Sequence, residues 1–221
     1  GYPAISGNGL VVAFHSGTLP DNLVPGDTNA AGDIFVRDLS TGITSRVSVS
    51  SGGAQASGWS NWPAISADGL LVSFESGAAD LVVSDTNGGS DVFVHDRASG
   101  TTTRVSVATG GVEAGGGSYE SRISGNGGIV AFNSFAADLV EVDANGVRDV
   151  FVHDRTSGIT ARASRAVDGS EGLAESSGPG VSADGAYVAF YSAATNLAPP
   201  DANGFVDVLL GGDPFLPPEA T

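Results

Sequence analysis

Short apolar runs alternate with polar, glycine-rich turns along the whole chain, and no stretch sustains a 3.6-residue period. The pattern predicts strands throughout and no substantial helix. The runs come in a fixed order. A brief strand such as PAIS (Pro63 to Ser66) is followed by Asn8-Gly9, Asp68-Gly69, Asn126-Gly127 or Asp184-Gly185. These dipeptides suit tight hairpin turns, whose two central positions favour positive φ. A second strand follows, as LVVAFHS, LLVSFES, GIVAFNS or AYVAFYS, and then a long polar loop. The third strand reads DIFVRD, DVFVHD, DVFVHD and DVLLGG. A fourth is expected as RVSV at Arg46 to Val49 and Arg104 to Val107, with a weaker version near Arg162.

The order repeats in phase. The markers AIS, AIS, RIS and GVS end at Ser6, Ser66, Ser124 and Ser182, spaced by 60, 58 and 58 residues, and Phe14, Phe74, Phe132 and Phe190 keep the same spacing. Four repeats, at about 3–62, 63–120, 121–178 and 179–221, therefore form one domain over 1–221. Four antiparallel strands repeated radially describe an all-β fold, a β-propeller of four blades. The repeat exceeds the usual blade of about 40 to 50 residues, with the surplus in the loop before the third strand.

PAISADGLLVSFES followed by DVFVHDRASGTTTRVSV resembles the TolB-type, WD-repeat-like propeller repeats of bacterial exported proteins. The resemblance covers all four repeats. It implies that the first strand of each repeat lies innermost, along a central channel, with RVSV at the outer edge. The last repeat departs from it: after DVLL the chain runs GGDPFLPPEAT, without a TG-xT-RVSV strand. Either an upstream RVSV-like strand of a longer precursor completes the last blade, or that blade lacks its outer strand. Its open edge could recruit a second chain, but a monomer is the expectation.

The composition narrows the partners. Of 221 residues 41% are apolar, so the chain is not of disordered type, and the 33 glycines match the many turns. There is no cysteine, which excludes disulfides and cysteine nucleophiles. The net charge is -16, from 25 acidic residues against nine arginines. That field disfavours nucleic acid and anionic membranes and favours cations or basic partners. No segment has the length and apolarity of a membrane span. The chain has neither a methionine nor a signal peptide and reads as the mature or trimmed form of an extracellular or periplasmic protein.

The acid is concentrated at fixed places. Asp-x-Asn-x-x-x-Asp occurs as Asp27, Asn29, Asp33; Asp85, Asn87, Asp91; Asp143, Asn145, Asp149; and Asp201, Asn203, Asp207. Carboxylate and amide oxygens on a curled loop are what a hard cation such as calcium takes, and this heptad looks like a shortened cousin of the loops of EF-hands and integrin α-chain propeller repeats. It lacks the acid at position 5 and the bidentate glutamate. Two carboxylates and an amide suit the weak extracellular range, roughly 10⁻⁴ to 10⁻³ M. The competing reading is a turn, because Asp and Asn bond their own backbone. Structural calcium is the expectation, since all three residues recur in every repeat. Asn22, Asp80, Asp138 and Asn196 are expected to cap turns, and Asp38, Asp96 and Asp154 to brace the next hairpin.

Catalysis finds little support. His95 and His153 are repeat equivalents on strand faces, Ser6, Ser66, Ser124 and Ser182 are repeat markers, and no G-x-S-x-G, H-E-x-x-H or phosphate loop is present. Trp59 and Trp62, in GWSNWPAIS, are the one local peculiarity. Buried they would pack between blades; exposed they could stack on a sugar or a peptide. The sequence points to a non-catalytic binding or scaffold module stabilised by calcium. A lectin-like module for glycans and an accessory domain of a larger hydrolase are the alternatives.

Overall fold

The computed structural model describes residues 2–17, 23–198, 201, 203–211 and 215. Four antiparallel sheets follow one another along the chain. The first holds β1 (Ala4–Ile5), β2 (Val11–Ser16), β3 (Asp33–Asp38) and β4 (Ile43–Arg46). The second holds β5 (Ser60–Ile65), β6 (Leu71–Ser76), β7 (Asp91–Asp96) and β8 (Thr101–Arg104). β9 (Ser118–Ile123), β10 (Ile129–Ser134), β11 (Asp149–Asp154) and β12 (Ile159–Arg162) form the third. The fourth has three strands, β13 (Ser176–Val181), β14 (Val188–Ser192) and β15 (Asp207–Gly211). This is the four-blade propeller architecture, with an incomplete last blade. The GGDPFLPPEAT segment lies, apart from Gly211 and Phe215, outside the described residues.

The outer strand is not RVSV. It ends at Arg46, Arg104 and Arg162, because the next serine replaces the ladder with its side chain. The backbone N–H groups of Ile34, Val92 and Val150 donate to the hydroxyls of Ser48, Ser106 and Ser164 at 3.0–3.1 Å. The first strand starts ahead of PAIS, so Trp62 belongs to β5 and Trp59 to the loop entering it.

The hairpin after the first strand also differs in its chemistry. Only its glycine takes positive φ, at 72°, 77°, 74° and 82° for Gly9, Gly69, Gly127 and Gly185. The Asn or Asp before it instead receives the marker serine's hydroxyl, as Ser66 to Asp68 at 2.5 Å, and the backbone N–H of Leu70 at 3.0 Å. Ser66 Oγ in turn accepts the N–H of Leu71 at 3.0 Å. The markers recur because the turn is built from side-chain bonds that only these residue types supply.

Each sheet packs on its successor through apolar faces. Val11, Ala13, Ile34, Val36 and Val47 of the first sheet meet Val72, Phe74, Phe93 and Leu81 of the second. The second and third sheets, and the third and fourth, repeat the arrangement with equivalent residues. The outer rims are tied by polar bonds. Thr102 Oγ1 donates to the carbonyl of Val49 at 2.5 Å and therefore accepts from His95 Nδ1 at 2.9 Å. Thr160, Val107 and His153 repeat this at 2.5 and 2.9 Å. Burial holds both histidines below their ordinary pKa, so they are neutral, carry the proton on Nδ1 and act as rim ties.

Thr102→Val removes both bonds and leaves the Val49 carbonyl and the imidazole N–H without partners. A loss of about 1–3 kcal/mol is expected in urea denaturation, against less than about 0.5 kcal/mol for the more open Thr44→Val. A base held below its unfolded pKa adds stability that is present above about pH 6.5 and declines as the pH falls below it. Replacing both histidines by glutamine should flatten that part of the stability profile.

Candidate functional site

All four heptads lie in the loops between the second and third strands, and the last aspartate opens the third strand. The asparagines act alike in every copy. Their Oδ1 atoms accept the backbone N–H groups of Ala31, Gly89, Val147 and Phe205 at 2.7–3.0 Å. In the first three copies the amide nitrogen donates to the carbonyls of Ala56, Ala114 and Gly172 at 2.8–2.9 Å, and to Asp33, Asp91 and Asp149 at 2.9–3.3 Å. The amide oxygen is thus spent on the turn, and an NH2 group faces the acid.

Asp33, Asp91 and Asp149 are fully buried. One carboxylate oxygen of each accepts the hydroxyl of Ser48, Ser106 or Ser164 at 2.6 Å. The other faces the arginine that ends the outer strand. Arg46 lies 3.4 Å from both Asp27 and Asp33. Arg104 lies 3.6 Å from Asp85, 3.3 Å from Asp91 and 2.5 Å from Glu113. Arg162 lies 3.4, 3.7 and 2.9 Å from Asp143, Asp149 and Glu171. In the first repeat Gln55 stands where Glu113 and Glu171 stand later, and its amide nitrogen bridges Asp27 and Asp33 at 2.8 and 3.0 Å. Burial raises the pKa of Asp33, Asp91 and Asp149, which the arginine and the hydroxyl oppose. Glu113 is held down at about 2, first by the Thr86 hydroxyl and backbone and then by Arg104.

Asp85, Asp91 and Glu113 bring one carboxylate oxygen each to within 4.8 Å of one another, an arrangement able to hold a metal ion. The carboxylates suit a hard cation; the amide does not, because Asn87 presents hydrogens. In the fourth copy Asp201 accepts the backbone N–H of Asn203 at 3.1 Å, and Asn203 reaches Asp207 only at 3.5 Å. That sheet has no outer strand to carry an arginine among the described residues.

The residues upstream of the heptads do not cap their own turns. Asp80, Asp138 and Asn196 accept backbone N–H groups of Ser57, Gly115 and Leu173 at 2.9–3.0 Å, 23 residues back, and so clip the linker between sheets. Asn22 lies outside the described residues. Asp38, Asp96 and Asp154 do brace the following hairpin, accepting backbone N–H groups of Ser40, Ala98 and Thr156 at 2.8–2.9 Å.

A second feature lies on the same rim, where the repeats disagree. One position reads Tyr2, Trp62, Glu120 and Gly178; another reads His15, Glu75, Asn133 and Tyr191. Between the second and third sheets these positions open a cleft of 180 Å3, lined by Trp62, Glu75, Tyr119, Glu120, Phe135 and Arg148. The backbones of Trp62 and Glu120 take φ of 51° and 53°, beside the register shifts that break the pairing of the first and second strands. Tyr2 and Gly178, at the same position of the other two repeats, take φ of 51° and 60°, so the conformation belongs to the repeat.

Glu75 is only 4% exposed; it accepts the backbone N–H of Glu120 at 2.9 Å, and burial raises its pKa. Asn133 donates to Glu120 at 2.8 Å. The Arg148 guanidinium lies 4.9 Å above the Phe135 ring, and Tyr119 meets Phe135 edge-on at 6.3 Å. Buried Arg148 Nε and Asn133 Oδ1 have no hydrogen-bond partner among the described residues. Trp62 stacks on Tyr2 at 3.8 Å, whereas Trp59 covers Gly77 and does not line the cleft. Sequence reasoning singled out Trp62 and missed the roles of Glu75, Glu120, Phe135 and Arg148. The signal was the disagreement among in-phase repeats.

Arg104→Gln leaves Asp85, Asp91 and Glu113 facing one another without a counter-charge. A loss of about 3–5 kcal/mol is expected, read by chemical denaturation. Glu113 adds stability that is fully present above its unfolded pKa near 4.5 and is lost as the pH falls toward about 2. Glu113→Gln should therefore remove part of the acid-denaturation limb in that window.

No family model matches the chain, and no curated protein matches it. Solved structures do. TolB from Acinetobacter baumannii superposes with a TM-score of 0.54 at 18% identity, over 96% of this chain and 40% of that one. The β-propeller domain of the Trilobed protease from Pyrococcus furiosus gives 0.54 at 14% identity, over 96% and 54%. An oligogalacturonate lyase in complex with manganese gives 0.51 at 13%, over 94% and 52%. The chain spans about half or less of each of these proteins. Its fold is that of the TolB-type β-propeller.

Proposed function

We propose that the chain is a non-catalytic binding module whose ligand site is the rim cleft between the second and third sheets. The observation that carries this reading is the gathering of divergent residues around one cleft, over a framework that otherwise repeats. Aromatic faces at Trp62 and Tyr119, acceptors at Glu75 and Glu120 and a donor at Arg148 match a glycan, which offers apolar C–H faces and hydroxyls together. His95 and His153 are spent on rim bonds, which favours binding over acid–base chemistry.

The loops supply the scaffold. In this reading the cation of the first three heptads is arginine, and calcium would have to displace Arg104 and turn Asn87 around. The carboxylate trio at Asp85, Asp91 and Glu113 is where calcium would bind if it binds at all. Likeness to TolB supports an extracellular or periplasmic setting.

Two measurements test the proposal. On a glycan array, Trp62→Ala should weaken any glycan bound by about tenfold or more, while Trp59→Ala leaves it intact. Equal loss in both variants, or no glycan bound, sinks the glycan assignment. The melting temperature should be indifferent to EDTA and to added calcium; a clear rise with calcium would restore the metal reading.

A further inference from the structure

Four carboxylates are buried among the described residues. Asp33, Asp91 and Asp149 each face an arginine, a serine hydroxyl and an asparagine amide. Glu75 is the fourth, and among the described residues no arginine pairs with it. One of its oxygens accepts the backbone N–H of Glu120 at 2.9 Å; the other accepts no hydrogen bond among the described residues, and the side chain lines the rim cleft. Burial pushes its pKa up, as it does for a carboxylate left without a counter-charge. Glu120 lines the same cleft. Its carboxylate takes the amide of Asn133 at 2.8 Å and likewise has no arginine partner. The rest of the wall is Trp62, Tyr119 and Phe135, with Arg148 held over the Phe135 ring and paired with neither acid. All of these residues belong to the two middle sheets and the loops between their strands.

Two acids without counter-ions, set beside aromatic rings, are suited to an ammonium group. The carboxylates supply charge and acceptors, and aromatic faces attract a cation. The net charge of -16 acts in the same sense. Sugar hydroxyls alone would bond to these acids but would leave the buried charge of Glu75 unanswered.

We propose that the glycan taken by this cleft carries a free amine, as an unacetylated amino sugar whose ammonium is answered by Glu75 and Glu120. The proposal rests on the glycan reading of the same cleft. The ammonium gives Glu75 the counter-charge that Arg46, Arg104 and Arg162 give the framework aspartates. Arg148 then serves the ring hydroxyls, and Trp62 and Tyr119 the apolar C–H face. The cleft's 180 Å3 is below the roughly 300–1,000 Å3 of a pocket for a whole ligand, so it takes one unit of a longer glycan.

Calorimetric titration with three disaccharides tests it: the glucosamine dimer, its N-acetylated form, and the glucose dimer with a hydroxyl in place of the amine. At neutral pH the glucosamine dimer should bind about tenfold or more tightly than either of the others. Glu75→Gln keeps an acceptor for the Glu120 N–H, so circular dichroism should be unchanged, and it should bring the glucosamine dimer down to the level of the other two. Glu141→Gln removes the same charge from an exposed loop position outside the cleft and should leave the preference intact. An uncharged dimer bound as tightly overturns the amine and leaves the glycan reading standing, as does a preference that survives Glu75→Gln. Equal loss in Glu141→Gln reduces the effect to net charge and overturns the site. Trilysine bound as tightly, with the same dependence on Glu75, assigns the ammonium to a peptide and overturns the amino sugar. If none of the three dimers binds, the amine falls, and the glycan array decides the broader reading.

Discussion

A buried carboxylate must be answered by donors, and the first residue of each complete third strand is one. Asp33, Asp91 and Asp149 sit at zero exposure where a long loop becomes a strand. A serine hydroxyl, an asparagine amide and an arginine guanidinium answer each of them. The three donors come from three parts of the blade: the linker beyond the outer strand, the heptad itself and the end of the outer strand. One charge thus fixes loop, strand end and linker together. Unanswered, it would cost several kcal/mol, so the loop cannot rearrange without unsettling the sheet.

The period, the strand count and the missing outer strand were legible in the sequence, because turn chemistry and apolar runs recur at a constant spacing. The heptad was legible as an acidic cluster, while the arginine that faces it was not. Calcium and guanidinium satisfy the same carboxylates, and Arg104 lies 13 residues beyond Asp91, inside what reads as a plain strand. The asparagine deepened the ambiguity, since its type does not say whether oxygen or nitrogen faces the acid. Only the pairing of Asn87 Oδ1 with Gly89 N–H decides that. The outer strand was misplaced for a related reason: Ser106 looks like a strand residue, yet its hydroxyl ends the ladder.

Framework and function separate cleanly on the rim. Positions that hold a blade together repeat, because each blade faces the same physical problem. Positions that face the cleft need not repeat, and there the chain places tryptophan, glutamate and glycine in turn. Gly178 adopts the same positive φ without strain, at 60°, so the backbone geometry belongs to the fold and the strain at Trp62 and Glu120 belongs to their side chains.

The same logic accounts for the complete use of arginine as the basic residue. Arg104 meets three carboxylates and the Ser84 carbonyl with one planar group, and Arg162 does likewise with the Val142 carbonyl. Arg97 and Arg155 reach the turn carbonyls of Gly69 and Gly127 at 2.6 and 2.8 Å, tying the two ends of a blade's second and third strands. Lysine has a single, strongly hydrated ammonium and could not span these acceptors or give up its water as readily. In a chain of net charge -16, Arg104 and Arg162 are thus placed where a forked donor is needed.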